Sequence, residues 1–187
     1  MTEPQALLNF VHNAHIFASA VSEILENKYL RQATDQEINF PQFNLLRLIE
    51  HNGDHQIREI ASFLGVSQAA ASKNVDKLVR LGLVKRQVQE GDRRAVSLNL
   101  TLRGRNVVQK YEALKEEKLA HMLEELTQDE LEILSRGLER ASYLILEKEE
   151  DFGEICMKCS AYHVEGCPMR SLAEGCIYVR SREQAVQ

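Results

Sequence analysis

All four cysteines of the 187-residue chain fall near its end, at Cys156, Cys159, Cys167 and Cys176, and the first 155 residues contain none. Their spacing is C-x2-C-x7-C-x8-C. Cys167 and Cys176 each follow a Glu-Gly pair, and Pro168 follows Cys167. A thiolate is the cysteine form that ligates metals and acts as a nucleophile, and clustering this tight points to one site with four sulfur ligands.

Three chemistries suit that set. Four thiolates can hold an iron–sulfur cluster, [4Fe–4S] foremost, and a Cys-x2-Cys pair followed by a Cys-Pro fits such ligation. Glycine before a ligand lets the backbone wrap closely and direct N–H groups at sulfur. Four thiolates also suit structural zinc, although zinc sites commonly use two tight cysteine pairs, and eight residues separate Cys167 from Cys176. The third chemistry is a thiol switch or disulfide framework, which a reducing compartment disfavours. His163 sits inside the loop as a potential replacement ligand, with an ordinary loop histidine the simpler account. His12 and His15, three residues apart on a helical stretch, have no acids or cysteines grouped with them.

Nothing else in the chain has the spacing of a catalytic centre. It carries no phosphate loop, no dinucleotide fingerprint and no nucleophile–base pairing, so the expectation is a protein that is not an enzyme. No apolar run approaches the roughly 20 residues of a membrane-spanning helix. The opening MTEPQALLNF lacks a basic segment followed by an apolar core. The expected location is the cytoplasm, with no membrane partner.

The elements that must position the chemistry emerge from periodicity. Leu8, Val11, Phe17, Val21, Ile24 and Leu25 recur at helical spacing over residues 5–32 and predict one long first helix. Pro41 suits the first turn of a second helix, which Asn52-Gly53 should stop. Ile57, Ile60, Ala61 and Leu64 predict a short amphipathic helix. Gly65 permits a tight turn with positive φ, and Ser67 is an N-cap for a helix whose buried stripe is Ala71, Val75, Leu78 and Val79. Gly82 should end it. Helix, glycine turn and helix make a helix-turn-helix at about 54–82. LVKRQVQ and AVSLNLT then alternate like strands around Glu90-Gly91-Asp92-Arg93-Arg94, predicting a β-hairpin with a basic tip at about 84–100. Thr101 can cap the next helix, whose apolar stripe runs from Val107 through Tyr111 and Leu114 to Leu123. Thr127 and Glu130 make a capping box for a last helix bearing Leu131, Leu134, Leu138, Ala141 and Ile145.

Charge follows this division. The net charge is −5, yet residues 67–94 carry seven basic and three acidic side chains, and residues 112–154 carry five basic and fourteen acidic ones. A local excess of cations can face phosphate while the acidic part stays away from it.

The order of helices, the helix-turn-helix, the hairpin and the string GDRRAVSLNLTLRG together resemble the MarR family of bacterial regulators. The resemblance covers about residues 5–148 and rests on Asp92-Arg93-Arg94 in the wing and Leu100-Thr101 at its close. It implies a mainly α fold with a small β-hairpin wing: a winged helix-turn-helix over residues 1–148, with dimerisation helices at about 5–32 and 102–148. It implies a homodimer, double-stranded DNA with a pseudo-palindromic operator as partner, and transcription regulation without catalysis. A signal near the dimer interface would change the spacing of the two reading heads. Residues 149–187 depart from the family pattern as a cysteine-rich metal-binding extension. A metal lobe directly after a dimerisation helix is placed to sense redox state, oxygen or nitric oxide. The rival arrangement is a small ligand at the dimer interface, with zinc in the tail; Arg47, His51 or Tyr111 could line such a pocket, but core packing is the simpler role for them.

A recognition helix reads base edges from its first turns. Gln68, Ala69, Ala70, Ser72, Lys73 and Asn74 hold those positions. Gln68 and Asn74 offer paired donor and acceptor groups suited to adenine, and Ala69 and Ala70 allow close approach. Ser72, Lys73, Lys77 and Arg80 suit phosphate, which anchors without specifying sequence. The family resemblance implies that Arg94 enters the minor groove with Asp92 orienting it, and Arg93 adds a phosphate contact.

Overall fold

A computed structural model of the chain describes residues 4–51, 57–89 and 92–148. Cys156, Cys159, His163, Cys167 and Cys176, the Asn52-Gly53 stop and the hairpin residues Glu90 and Gly91 lie outside the described residues. Those residues fall into two compact units: 4–51 with 77–121, and 57–76 with 122–148.

In the first unit, α1 (Pro4–Ala20), a π-helical segment (Val21–Lys28) and α2 (Tyr29–Ala33) run without a break. The single regular helix expected over 5–32 is therefore interrupted. The N–H of Tyr29 bonds the carbonyl of Ile24, five residues back, and the Leu25 carbonyl within the segment accepts the Tyr111 hydroxyl at 2.8 Å. A side chain that takes a ladder carbonyl is a common cause of local change in helical register. Of the first helix's stripe, Leu8, Val11 and Phe17 are exposed in the single chain, and Val21, Ile24 and Leu25 are half-buried.

Helix α3 (Phe40–His51) opens on a reciprocal cap. The Asn39 side chain accepts from the Gln42 N–H at 2.9 Å, and the Gln42 side chain accepts from the Asn39 N–H at 3.2 Å. Pro41 sits in the first turn, where its missing N–H has no helical partner to lose. Phe40, Phe43 and Tyr111 pack as a tilted aromatic cluster with centroids 4.4–6.0 Å apart, and all three are buried. Each such pair adds about 0.5–1.5 kcal/mol beyond area burial.

The wing pairs β1 (Val84–Gln89) antiparallel with β2 (Asp92–Leu100), in register from Val84↔Leu100 to Val88↔Val96. The register then shifts, so Gln89 faces Asp92. Val84, Leu98 and Leu100 are buried at the wing's base. Helix α6 (Leu102–Met122) buries Val107, Val108 and Tyr111 early in its length. It stops at Met122, short of the stripe's expected end, because Leu126 N–H already closes a turn onto the Leu123 carbonyl.

The second unit holds α4 (Ile57–Leu64), most of α5 (Gln68–Arg80) and α7 (Gln128–Leu146). Ile60, Ala61 and Phe63 are buried on α4. The expected capping box of α7 is formed: Thr127 Oγ1 accepts from the Glu130 N–H, and the Glu130 carboxylate accepts from the Thr127 N–H at 2.8 Å. Leu131, Ile133, Leu134, Leu138, Leu144 and Ile145 of this helix are all exposed in the single chain. No helix of the described residues is long and apolar enough to cross a membrane.

Candidate nucleic-acid interface

Local sequence chemistry sets both ends of α5. At its start, α4 closes onto Gly65, whose φ of 62° is the left-handed conformation expected there, and Val66 N–H reaches back to the Ala61 carbonyl. Ser67 then caps α5: its hydroxyl accepts from Ala70 N–H at 3.3 Å, and its carbonyl accepts from Ala71 N–H at 2.9 Å. At the far end Gly82 has φ 68°. Its N–H bonds the Val79 carbonyl, and Leu83 N–H bonds the Leu78 carbonyl. This is the paired closure that a glycine past the C-cap permits, and Leu78 and Leu83 are both fully buried.

Between these ends the helix has two unlike sides. Ala71, Val75 and Leu78 are wholly buried, while Val79, the fourth residue of the expected stripe, is half-buried. The α5 residues predicted to meet DNA all lie off the buried stripe. Gln68, Ala69, Lys73 and Arg80 are exposed, and Ala70, Ser72, Asn74 and Lys77 are half-buried. Ala69, Lys73, Asp76 and Arg80 recur at i, i+4, i+7 and i+11, which places them along one line opposite the buried stripe. Asp76, which the residue types alone do not single out, is an exposed acid on this line between Lys73 and Arg80. The Asn74 amide donates to the Ala70 carbonyl at 3.0 Å, so presenting both its groups to an adenine requires exchange of that bond.

The carboxyl end of α5 is tied to the start of α6. Thr101 Oγ1 lies 2.7 Å from the Gly82 carbonyl and 3.2 Å from that of Leu83, and the Thr101 N–H donates to the Leu83 carbonyl at 3.0 Å. Thr101 Oγ1 also accepts from the Gly104 N–H, so Thr101 caps α6 as expected. Arg103 Nη1 donates to the Leu81 carbonyl at 3.2 Å. Carbonyls that a helix end leaves open are thus closed by groups that follow the wing.

In the wing, the backbone of Asp92, Arg93 and Arg94 begins β2 next to the register shift. Their side chains lie outside the described residues. Lys85 and Arg86 are exposed on β1.

Tyr111 packs in the core, the role favoured for it from the sequence, and Arg47 has an ion-pair partner. Tyr111 is 2% exposed, and burial, followed by the Glu112 charge, pushes its phenol above the usual tyrosine range. Arg47 Nε lies 3.3 Å from Glu112 Oε1, an ion contact whose geometry falls short of a hydrogen bond. Lys115 pairs with Glu112 and sits over the Tyr111 ring at 5.6 Å. The side chain of His51 lies outside the described residues. His12 and His15 are exposed on α1. Among the described residues, no three His, Cys, Asp or Glu side chains are grouped to hold a metal.

Comparison with known proteins agrees with this architecture. The MarR family model matches residues 36–95. The HTH-type transcriptional regulator YfiV of Bacillus subtilis is 32% identical over 112 residues, which cover 56% of this chain and 70% of that protein. Among solved structures, RV1404 from Mycobacterium tuberculosis shares 27% identity with a TM-score of 0.64, over 76% of this chain and 94% of its own. Streptococcus pneumoniae FabT, solved in complex with DNA, has a TM-score of 0.61 at 17% identity, over 75% of this chain and 99% of its own; at that identity the likeness is one of fold. With a mainly helical chain, a helix-turn-helix and a two-stranded antiparallel wing in this order, the protein belongs to the MarR family of winged-helix transcriptional regulators.

Proposed function

We propose that the chain regulates transcription as a homodimer that binds a pseudo-palindromic DNA site, and that its terminal cysteines hold a metal centre whose state alters that binding. The observation that carries the DNA reading is α5 itself. It is capped at both ends, wholly buried along Ala71, Val75 and Leu78, and exposed at Gln68, Ala69, Lys73 and Arg80. A rigid helix with a cationic outer side and small residues in its first turn is suited to enter a major groove. Lys73, Lys77 and Arg80 anchor on phosphate, Gln68 and Asn74 read base edges, and Arg94 reaches the minor groove from the wing with Asp92 beside it. FabT, which shares the fold, was solved with DNA bound.

Dimerisation is supported by the exposed apolar rows on α1 and on α7. Leu8, Phe10, Val11 and Phe17 on the first, and Leu134, Leu138 and Ile145 on the second, are each between 44% and 63% exposed in the single chain. Rows of that kind mark an interaction surface, and a second copy of the chain presents the matching rows.

The metal reading rests on four thiols at C-x2-C-x7-C-x8-C with glycine before the last two. A [4Fe–4S] cluster suits that ligand set, with zinc as the competing occupant. Cluster oxidation, loss or nitrosylation would change DNA affinity by biasing the dimer, which needs a coupling of only about 1–3 kcal/mol.

The test begins with anaerobic purification and analysis for iron, acid-labile sulfide and zinc. Selection from random duplexes with the same sample then recovers an inverted repeat whose half-sites lie about 34–36 Å apart. Replacing Lys77 by Ala lowers the salt slope of binding by about one without changing sequence preference. Recovery of no enriched sequence overturns the DNA reading. One zinc per chain without sulfide overturns the cluster, and identical DNA affinity with and without the metal overturns its sensing role.

A further inference from the structure

Within the first unit, the end of α2, the following turn and the first turns of α6 line an open surface cleft of about 530 Å³. That volume lies within the range of small-molecule sites. Arg31, Arg103 and Lys110 contribute three cations to its lining, and Asp35 contributes the one acid. Gln32, Thr34 and Asn106 add neutral polar groups. Arg103, Asn106 and Lys110 are spaced at i, i+3 and i+7 on α6, so the helix presents them as one stripe. The Asp35 carboxyl is held below its ordinary range, first by its bond from Gln36 and then by its own backbone N–H, with the Arg103 and Lys110 charges acting in the same direction. Two of the cations thus already act on a carboxylate at the cleft's edge.

We propose that this cleft binds a small organic or inorganic anion bearing at least two negative charges. Three cations against one acid leave a surplus that a single carboxylate would not neutralise. The amide and hydroxyl groups of Gln32, Asn106 and Thr34 supply donors for the anion's remaining oxygens. Carboxylate and phosphate share this chemistry. Arg103 also donates to the Leu81 carbonyl just past α5, so an anion engaging its guanidinium acts two residues from the Thr101 cap that holds the Gly82 and Leu83 carbonyls.

The site stands apart from the DNA reading and is tested without DNA. The full chain, in chloride buffer, is titrated calorimetrically with citrate and separately with pyrophosphate up to about 10 mM, a range that captures dissociation constants of order 1 mM. Saturable binding is expected for at least one probe: citrate alone identifies a polycarboxylate site, pyrophosphate alone a phosphate site, and both a general polyanion site. Lys110→Gln and Arg31→Gln each weaken binding by about fivefold, the effect of removing one exposed charge partner. Asp35→Asn tightens it. Lys85→Gln, which alters a cation on the wing outside the cleft, leaves it unchanged. Absence of saturable binding by both probes, or equal weakening by Lys85→Gln and Lys110→Gln, overturns the proposal.

Discussion

The hydroxyl of Tyr111 on α6 donates a 2.8 Å hydrogen bond to the carbonyl of Leu25 within the π-helical segment, across 86 positions of sequence. The ring is packed on Phe43 and Phe40, so the bond is held by the aromatic core.

Replacing Tyr111 by Phe keeps the ring and leaves the Leu25 carbonyl without this donor. The expected loss is about 1–2 kcal/mol in denaturant unfolding. The pH dependence has a definite sign. The folded phenol is raised above the ordinary value of 10.0, mainly by burial, so its contribution is full below that value. It declines as pH rises above 10.0 toward the folded value. The wild-type protein therefore loses stability at strongly alkaline pH, and Tyr111→Phe shows a smaller alkaline loss. Parallel pH curves for the two proteins would contradict this role.

Gly104 and Gly82 make a paired test of packing against backbone strain. A Cβ on Gly104 would collide with the carbonyl oxygen of Leu83, which already accepts from Thr101 N–H. A Cβ on Gly82 meets nothing within 4 Å, and only its φ of 68° is unfavourable. Gly82→Ala should cost about 1–2 kcal/mol. Gly104→Ala should cost about 3 kcal/mol or more, since backbone must move. Thermal unfolding midpoints measured side by side decide the order.

The α7 capping box should be visible in acid. Hydrogen bonds from the Thr127 backbone and side chain hold the Glu130 carboxyl below its ordinary value of 4.5. Its contribution is present above 4.5 and is lost as pH falls through the lower folded value. The protection factor of the Thr127 amide, which donates to that carboxylate, should therefore fall on acidification, and Glu130→Gln should remove most of that pH dependence. Thr127→Ala should cost about 1 kcal/mol at neutral pH.

Leu138 lies 47% exposed on α7, one turn from Leu134. If a second copy covers this row, Leu138→Glu should weaken self-association by about a hundredfold, as burying an unpaired charge in an apolar interface requires. Sedimentation over a concentration series reads this directly. An unchanged association constant would remove α7 from the interface.

What was readable from the chain alone was whatever a few neighbouring residues decide. Ser67, Gly65, Gly82, Thr101 and Thr127 mark helix ends by closing hydrogen bonds within a few positions, and the structure forms each of them. The buried stripe of α5 follows from periodicity in the same way, and with it the exposure of Gln68, Ala69, Lys73 and Arg80. Tertiary structure decided the features that depend on distant partners. The first helix departs from regular bonding around a carbonyl that takes a tyrosine from α6. Gly104 is required by the Leu83 carbonyl that approaches it from another part of the chain. Arg47 and Tyr111 are readable as packed residues, but their partners Glu112 and Leu25 are not. Spacing encodes what one helix or strand does to itself; which groups meet across separate elements is set only when their packed surfaces are brought together.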